Sequence, residues 1–202
     1  MTYDDRMSTP LRLLAVLLAL SGCGGDDDGA DGGGGGAADA SGGGGEVADA
    51  SSAGEPAELA GIVAAHNQVR ADHGIDPLSW DPALAAIAQG WAERCEDAEA
   101  PIGLIDHNPD RSDSYGSYVG ENVYGSSGAI GGPVAVDAWA AEEASYDLDT
   151  NSCDGVCGHY TQIVWASTTL VGCAFHLCPG LDFGNTVVCD YAPGGNDGGR
   201  PY

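Results

Sequence analysis

GHYTQIVWAST occupies residues 158–168, and directly after it the chain changes period. From about residue 170 it alternates, as VGCAFHLC (171–178) and NTVVCDY (185–191), with Pro179-Gly180 between the two runs. Alternation bounded by a Pro-Gly turn reads as a pair of short strands. Upstream the spacing is helical. Pro133 opens a helix with Val136, Trp139 and Ala140 inward, and Asp81-Pro82 caps one that carries Leu84, Ile87, Ala88, Trp91 and Cys95 on one face. Pro56 suits the first turn of the earliest helix, where Leu59, Ile62, Val63, His66 and Val69 recur at helical spacing before Gly74 stops it. Residues 96–119 are rich in Pro, Gly, Asp and Ser and read as a long loop, a kind of segment that often carries function inside compact domains. Helices first and strands later predict an α+β domain over 55–202.

The first third of the chain has a different composition. LLAVLLAL at 13–20 is too short to span a bilayer and has the size of a signal-peptide core, with Arg6 and Arg12 before it. Leu20-Ser21-Gly22-Cys23 resembles a bacterial lipobox, which makes 1–22 a lipoprotein signal and Cys23 the lipidated residue; an ordinary secretory signal is the alternative. Residues 24–54 hold 13 Gly, 7 Ala and 7 acidic residues and one Val, too little apolar surface for a core. The stretch 23–54 therefore reads as a disordered tether.

Charge and cysteines bound the function. The 202 residues carry 31 acids against 6 basic residues, all Arg, for a net −25. Nucleic acid is excluded as a partner, because phosphate binding needs clustered Lys or Arg. Electrostatic adhesion to anionic lipid is excluded likewise, which leaves the anchor as the one membrane contact. Seven cysteines imply disulfides and export, and setting Cys23 aside leaves six, which allow 15 pairings. No GxSxG elbow marks an activated serine.

Four motifs in order now carry a resemblance. GHYTQIVWAST (158–168) and VVCDYAPGGND (187–197) look like the two signatures of the CAP superfamily, also called SCP domains; Asp190 stands where Asn is common and Thr186 where an apolar residue is usual. HNQVR (66–70) and GENVY (120–124) match its shorter motifs, LSWDPALAAIAQGWAERC (78–95) resembles its second helix, and the terminal GGRPY resembles the ending of plant members. The resemblance implies a three-layer α-β-α sandwich with disulfides and a surface cleft. It implies the pairs Cys95–Cys178, Cys153–Cys157 and Cys173–Cys189. It also implies a cleft tetrad of two His and two Glu: His159, Glu121, Glu142 and, from the loop before the GEN motif, His107.

Read as chemistry, two imidazoles and two carboxylates suit either a divalent metal such as zinc or a general acid and base. The spacings, 14 residues from His107 to Glu121 and 17 from Glu142 to His159, form no local metal motif, and HExxH is absent. Plainer roles stand beside these. His159 can fix the start of its helix by a hydrogen bond, Glu121 can cap backbone N–H groups in a GEN turn, and one of Glu142 and Glu143 is a solvated helix face. His66 reads as a hydrogen-bonded core residue, His73 as a helix C-terminus, His176 as a strand residue without chemistry, and Trp80, Trp91, Trp139 and Trp165 as core aromatics. The functional expectation is an exported, lipid-anchored binding module of the cell envelope. Its cleft takes zinc, and a groove takes an apolar ligand of sterol or fatty-acid type. The alternatives are a metal-assisted hydrolase using Glu121, Glu142 and His159, and an adhesin for an envelope or host protein with a structural tetrad.

Overall fold

The computed structural model describes residues 54–100 and 102–202. The signal segment, the lipidation site at Cys23 and the tether lie outside the described residues.

The chain builds helices α1 (Ile62–Asp72), α2 (Pro82–Ala92), α3 (Gly132–Ala140) and α4 (Gly158–Ile163). Its strands are β1 (Ser79–Trp80), β2 (Gly120–Ser126), β3 (Tyr146–Asp147), β4 (Ser152–Cys153), β5 (Leu170–Leu177) and β6 (Asn185–Ala192). One sheet runs β1-β5-β6-β2, antiparallel except for β1 beside β5, and β3 with β4 makes a separate small ribbon.

The period of two along β5 and β6 divides the core into two layers. Val171 and Cys173 on β5, with Val187, Cys189 and Tyr191 on β6, pack with Ile62, Val63, Val136, Trp139 and Ile163 from α1, α3 and α4. The alternate residues, Ala174 and Val188, join Val123 and meet Ala88, Trp91 and Ala92 of α2. Helix α2 thus covers one face and the other helices cover the opposite face, which is the expected α-β-α sandwich. Gly172 shows how close α2 lies: a Cβ there would stand 2.2 Å from the backbone nitrogen of Ala85. The α2 start is fixed as the sequence indicates. Asp81 Oδ1 accepts from Ala83 N at 2.7 Å and Leu84 N at 3.0 Å, and Pro82 comes next in the first turn, where its missing N–H costs nothing.

Three details depart from the sequence reading. Pro56 opens only the 3₁₀ turn Ala57–Leu59, and α1 starts separately at Ile62 after Gly61, which is left-handed (φ 84°). GENVYGS is not a turn but strand β2, paired residue by residue with β6 from Gly120↔Tyr191 to Ser126↔Asn185. Helix α2 ends at Ala92, so Cys95 lies beyond it in a left-handed conformation (φ 48°) rather than on its apolar face. The long segment between α2 and β2 contains no helix or strand among its described residues. The three disulfides join Cys95 to Cys178, Cys153 to Cys157 and Cys173 to Cys189, the pairs the resemblance implies.

Arg70 is a fully buried cation without a carboxylate partner among its hydrogen bonds. Nε donates to Asp76 O (2.7 Å), Nη1 to Ile163 O (2.7 Å) and Trp165 O (3.0 Å), and Nη2 to Thr168 O (2.9 Å). Four carbonyls from three segments converge on one guanidinium, so Arg70 ties α1 to the end of α4 and the turn into β5. Burial pushes its pKa down to about 10, still far above neutrality.

Candidate functional site

Four side chains that are distant in sequence meet where β2, α4, the 3₁₀ turn Ala141–Ser145 and the long loop come together. His107 Nδ1 donates to Glu121 Oε1 at 2.7 Å, and His159 Nδ1 donates to Glu142 Oε1 at 2.6 Å. The two imidazole rings lie 6.4 Å apart with 27° between their planes. The Glu121 side chain is fully buried, whereas the His107 side chain is 53 % exposed. His159 is stacked on Trp139 with ring centres 6.2 Å apart.

Each carboxylate is itself held. Glu121 Oε1 also accepts from Asn108 N at 2.9 Å, so the residue after His107 is pinned to the same oxygen. Glu142 Oε2 accepts from His159 N (3.0 Å) and Tyr160 N (3.3 Å), the free amides at the start of α4. A carboxylate on Nδ1 fixes the imidazole tautomer with the proton at Nδ1 and leaves Nε2 as a lone-pair donor in the neutral ring. The plain roles expected for His159 and Glu121, ordering a helix start and capping a backbone N–H, are therefore also present, with the cap on Asn108 instead of within a turn. Glu143 is the solvated neighbour, 57 % exposed and 3.5 Å from His73.

The four residues do not form one four-ligand cage. Among the described residues no group of three or more His, Cys, Asp or Glu converges as a metal site. They are two His–Glu pairs, with the carboxylates turned towards the imidazoles. An open cavity of about 440 Å³, lined by Pro56, Trp80, Pro82, Ala85 and Gln89, lies on the α2 side and includes none of the four.

Three residues behind the site were given no role in the sequence analysis. Asn122 Nδ2 donates to His159 O at 3.0 Å and to Tyr191 Oη at 3.1 Å. Tyr191 Oη donates in turn to His66 Nε2 at 2.8 Å, while His66 Nδ1 donates to Ile62 O at 2.8 Å. Burial pushes the His66 pKa down to about 4, so the ring is a neutral core residue, as its helical position suggested. Asp190, the third, faces Glu121 directly across the β2–β6 pair. Both Asp190 oxygens and Glu121 Oε2 are buried without a hydrogen-bond partner. Burial first, and the Glu121 carboxylate second, push the Asp190 carboxyl up to about 9, against the pull of Arg111. At neutral pH Asp190 therefore carries its proton and can donate it to Glu121 Oε2. The available signal was its departure from the motif, an Asp where Asn is common.

Comparison with known proteins agrees with this architecture. A pathogenesis-related protein 1 of Arabidopsis thaliana is 41% identical over 142 residues, covering 69% of this chain and 80% of the relative. Mouse glioma pathogenesis-related protein 1 is 39% identical over 151 residues, with 69% of this chain and 54% of the relative aligned. Among solved structures, venom allergen-like protein 4 of Schistosoma mansoni superposes with a TM-score of 0.54 at 28% identity, covering 73% of this chain and 95% of that one. NaASP2, solved with Zn²⁺, shares the fold at a TM-score of 0.51 and 23% identity, over 70% of this chain and 82% of its own. The family described as "CAP: Cysteine-rich secretory protein family" matches residues 63–191, well over half of the sequence. With its sandwich, its three disulfides and its motifs in order, this chain belongs to the CAP, or cysteine-rich secretory protein, family.

Proposed function

We propose that this chain is an exported CAP-domain binding module whose cleft takes one divalent cation through His107 and His159. The observation that carries the reading is that both Nδ1 atoms are occupied by carboxylates, which leaves the two Nε2 atoms for a ligand on rings 6.4 Å apart. With Zn–N at about 2.0 Å a ring centre lies about 3 Å from the ion, so tetrahedral sharing needs centres about 5 Å apart, and the two rings must close by about 1 Å as the ion enters. Glu121 and Glu142 then orient the imidazoles and raise their basicity, and water or a ligand group fills the remaining positions. The metal seen with NaASP2 supports zinc as the first ion to try.

The arrangement favours binding over hydrolysis. A metal-assisted hydrolase that takes Glu121 or Glu142 as its base needs that carboxylate free to accept a proton from bound water. Here both carboxylates are committed, Glu121 to His107 and Asn108, and Glu142 to His159 and two amides.

Calorimetric zinc titration of the full oxidised chain tests the reading. One saturable site is expected, weakened at least about 100-fold in His107→Ala and in His159→Ala, and about 10–100-fold in Glu121→Gln or Glu142→Gln. Binding by the parent that survives both His substitutions would place the ion elsewhere and overturn the assignment. The anchor at Cys23 belongs to the same proposal and rests on the sequence LSGC. Cys23→Ser is expected to move the protein from the membrane pellet to the soluble fraction; unchanged fractionation would reject the anchor.

A further inference from the structure

The Glu142–His159 half of the cleft is carried on one closed excursion of the chain. Glu142 sits in the turn Ala141–Ser145, the ribbon of β3 and β4 comes next, and Cys157 directly precedes α4, of which His159 is the second residue. Three of Glu142's hydrogen bonds come from the first residues of α4. The position of that helix start therefore decides whether the pair exists. Helix α4 has six residues, too few to hold itself without tertiary anchors. One such anchor is the Cys153–Cys157 disulfide.

This bridge differs from the other two in access and in span. Cys153 alone of the six half-cystines is exposed, in a run, 151–156, that is exposed throughout. Cys173, Cys178 and Cys189 are all at most 1 % exposed, within or beside the sheet. The bridge spans a separation of 4 residues, against 83 and 16 for the others. Chain-entropy stabilisation grows with the loop closed, so opening the short bridge acts locally rather than on the whole fold.

We propose that Cys153–Cys157 is a redox latch on the Glu142–His159 pair, closed in the oxidised protein and opened by an external dithiol. The inference rests on the reading of that pair as half of the cleft. A dithiol thiolate attacks Sγ of the exposed residue Cys153, forming a mixed disulfide and expelling Cys157 as a thiolate, which takes a proton. The second thiolate of the reductant then attacks its own sulfur in the mixed disulfide and releases Cys153 as a thiol. The protein bridge gains two electrons, and the dithiol leaves as its cyclic disulfide. With the bridge open, the start of α4 loses its covalent tie to β4 and keeps only hydrogen bonds such as those from Asn122 to His159 O and from Asn196 to Gly158 O, so the amides and imidazole that hold Glu142 are less firmly placed.

The test uses the full oxidised chain, graded dithiothreitol, alkylation, and peptide mass spectrometry to name the cysteines released. Cys153 and Cys157 are expected to be labelled while the other four remain paired. At that point the His159 and Tyr160 amides should exchange with solvent roughly tenfold faster. A Cys153→Ser/Cys157→Ser double variant should show the same exchange and weaken zinc about 10–100-fold, as loss of an orienting contact does. Release of another pair first, or unchanged exchange of both amides after the short bridge opens, would overturn the latch. If the oxidised chain binds no zinc, the metal reading falls by itself, while the two amides still decide the latch.

Discussion

Asp190→Asn is expected to stabilise the protein by about 3 kcal/mol at pH 7 and to flatten its dependence on pH. The folded protein keeps a proton on Asp190 up to about pH 9, because burial and Glu121 oppose ionisation. The unfolded chain releases that proton at the ordinary carboxyl value near ~4. Between these values folding takes up a proton, so stability falls as pH rises across that window, by up to about 1.4 kcal/mol per unit. Below about pH 4 both states are protonated and the penalty vanishes. An amide at 190 has the shape of the acid, donates to Glu121 Oε2 through Nδ2 and has no proton to lose. Urea titrations of both proteins from pH 4 to 9, with thermal melts at pH 7, check this. The two should agree near pH 4 and diverge steadily to pH 7, where the variant melts about 5–10 °C higher. Parallel curves would mean that Asp190 is ionised in the folded protein and stabilised by contacts other than Glu121.

Arg70→Met is expected to lose about 3–5 kcal/mol, with the largest part of the loss at the junction of α4 and β5. The methionine fills much of the volume but donates to none of the four carbonyls, and those of Ile163 and Thr168 lose buried donors. Arg70→Lys restores the charge without the planar fork, so it should recover only part of the loss. Denaturant unfolding with an unchanged slope, and earlier hydrogen exchange across 163–168, are the readouts. A loss under about 1 kcal/mol for the methionine variant would show that those carbonyls find other donors.

The helices and the β5–β6 hairpin were legible because their signals are local. Asp81-Pro82 is both cap and first turn, and Val171, Cys173, Val187 and Cys189 alternate towards one face. Strand β1 was not legible, since Ser79 and Trp80 are a strand only through Leu170 and Val171 beside them. Strand β2 is hidden for a related reason. Gly120, Glu121 and Asn122 have turn composition, and what makes them a strand is pairing with Tyr191, Asp190 and Cys189 some seventy residues later. The site shows the same division. The resemblance selected His107, Glu121, Glu142 and His159 individually, but which imidazole meets which carboxylate is tertiary. The proton on Asp190 was beyond sequence reasoning altogether, because an aspartate becomes a hydrogen-bond donor only when a fold buries it against another carboxylate.

The most direct measurement of the central claim is a ¹⁵N imidazole spectrum of the full oxidised chain during a zinc titration. Nε2 of His107 and His159 should shift together and saturate at one equivalent, while their Nδ1–H signals persist, still bonded to Glu121 and Glu142. His66, His73 and His176 should be unaffected. Zinc arriving at Nδ1, at another histidine, or at only one of the two rings would contradict the account.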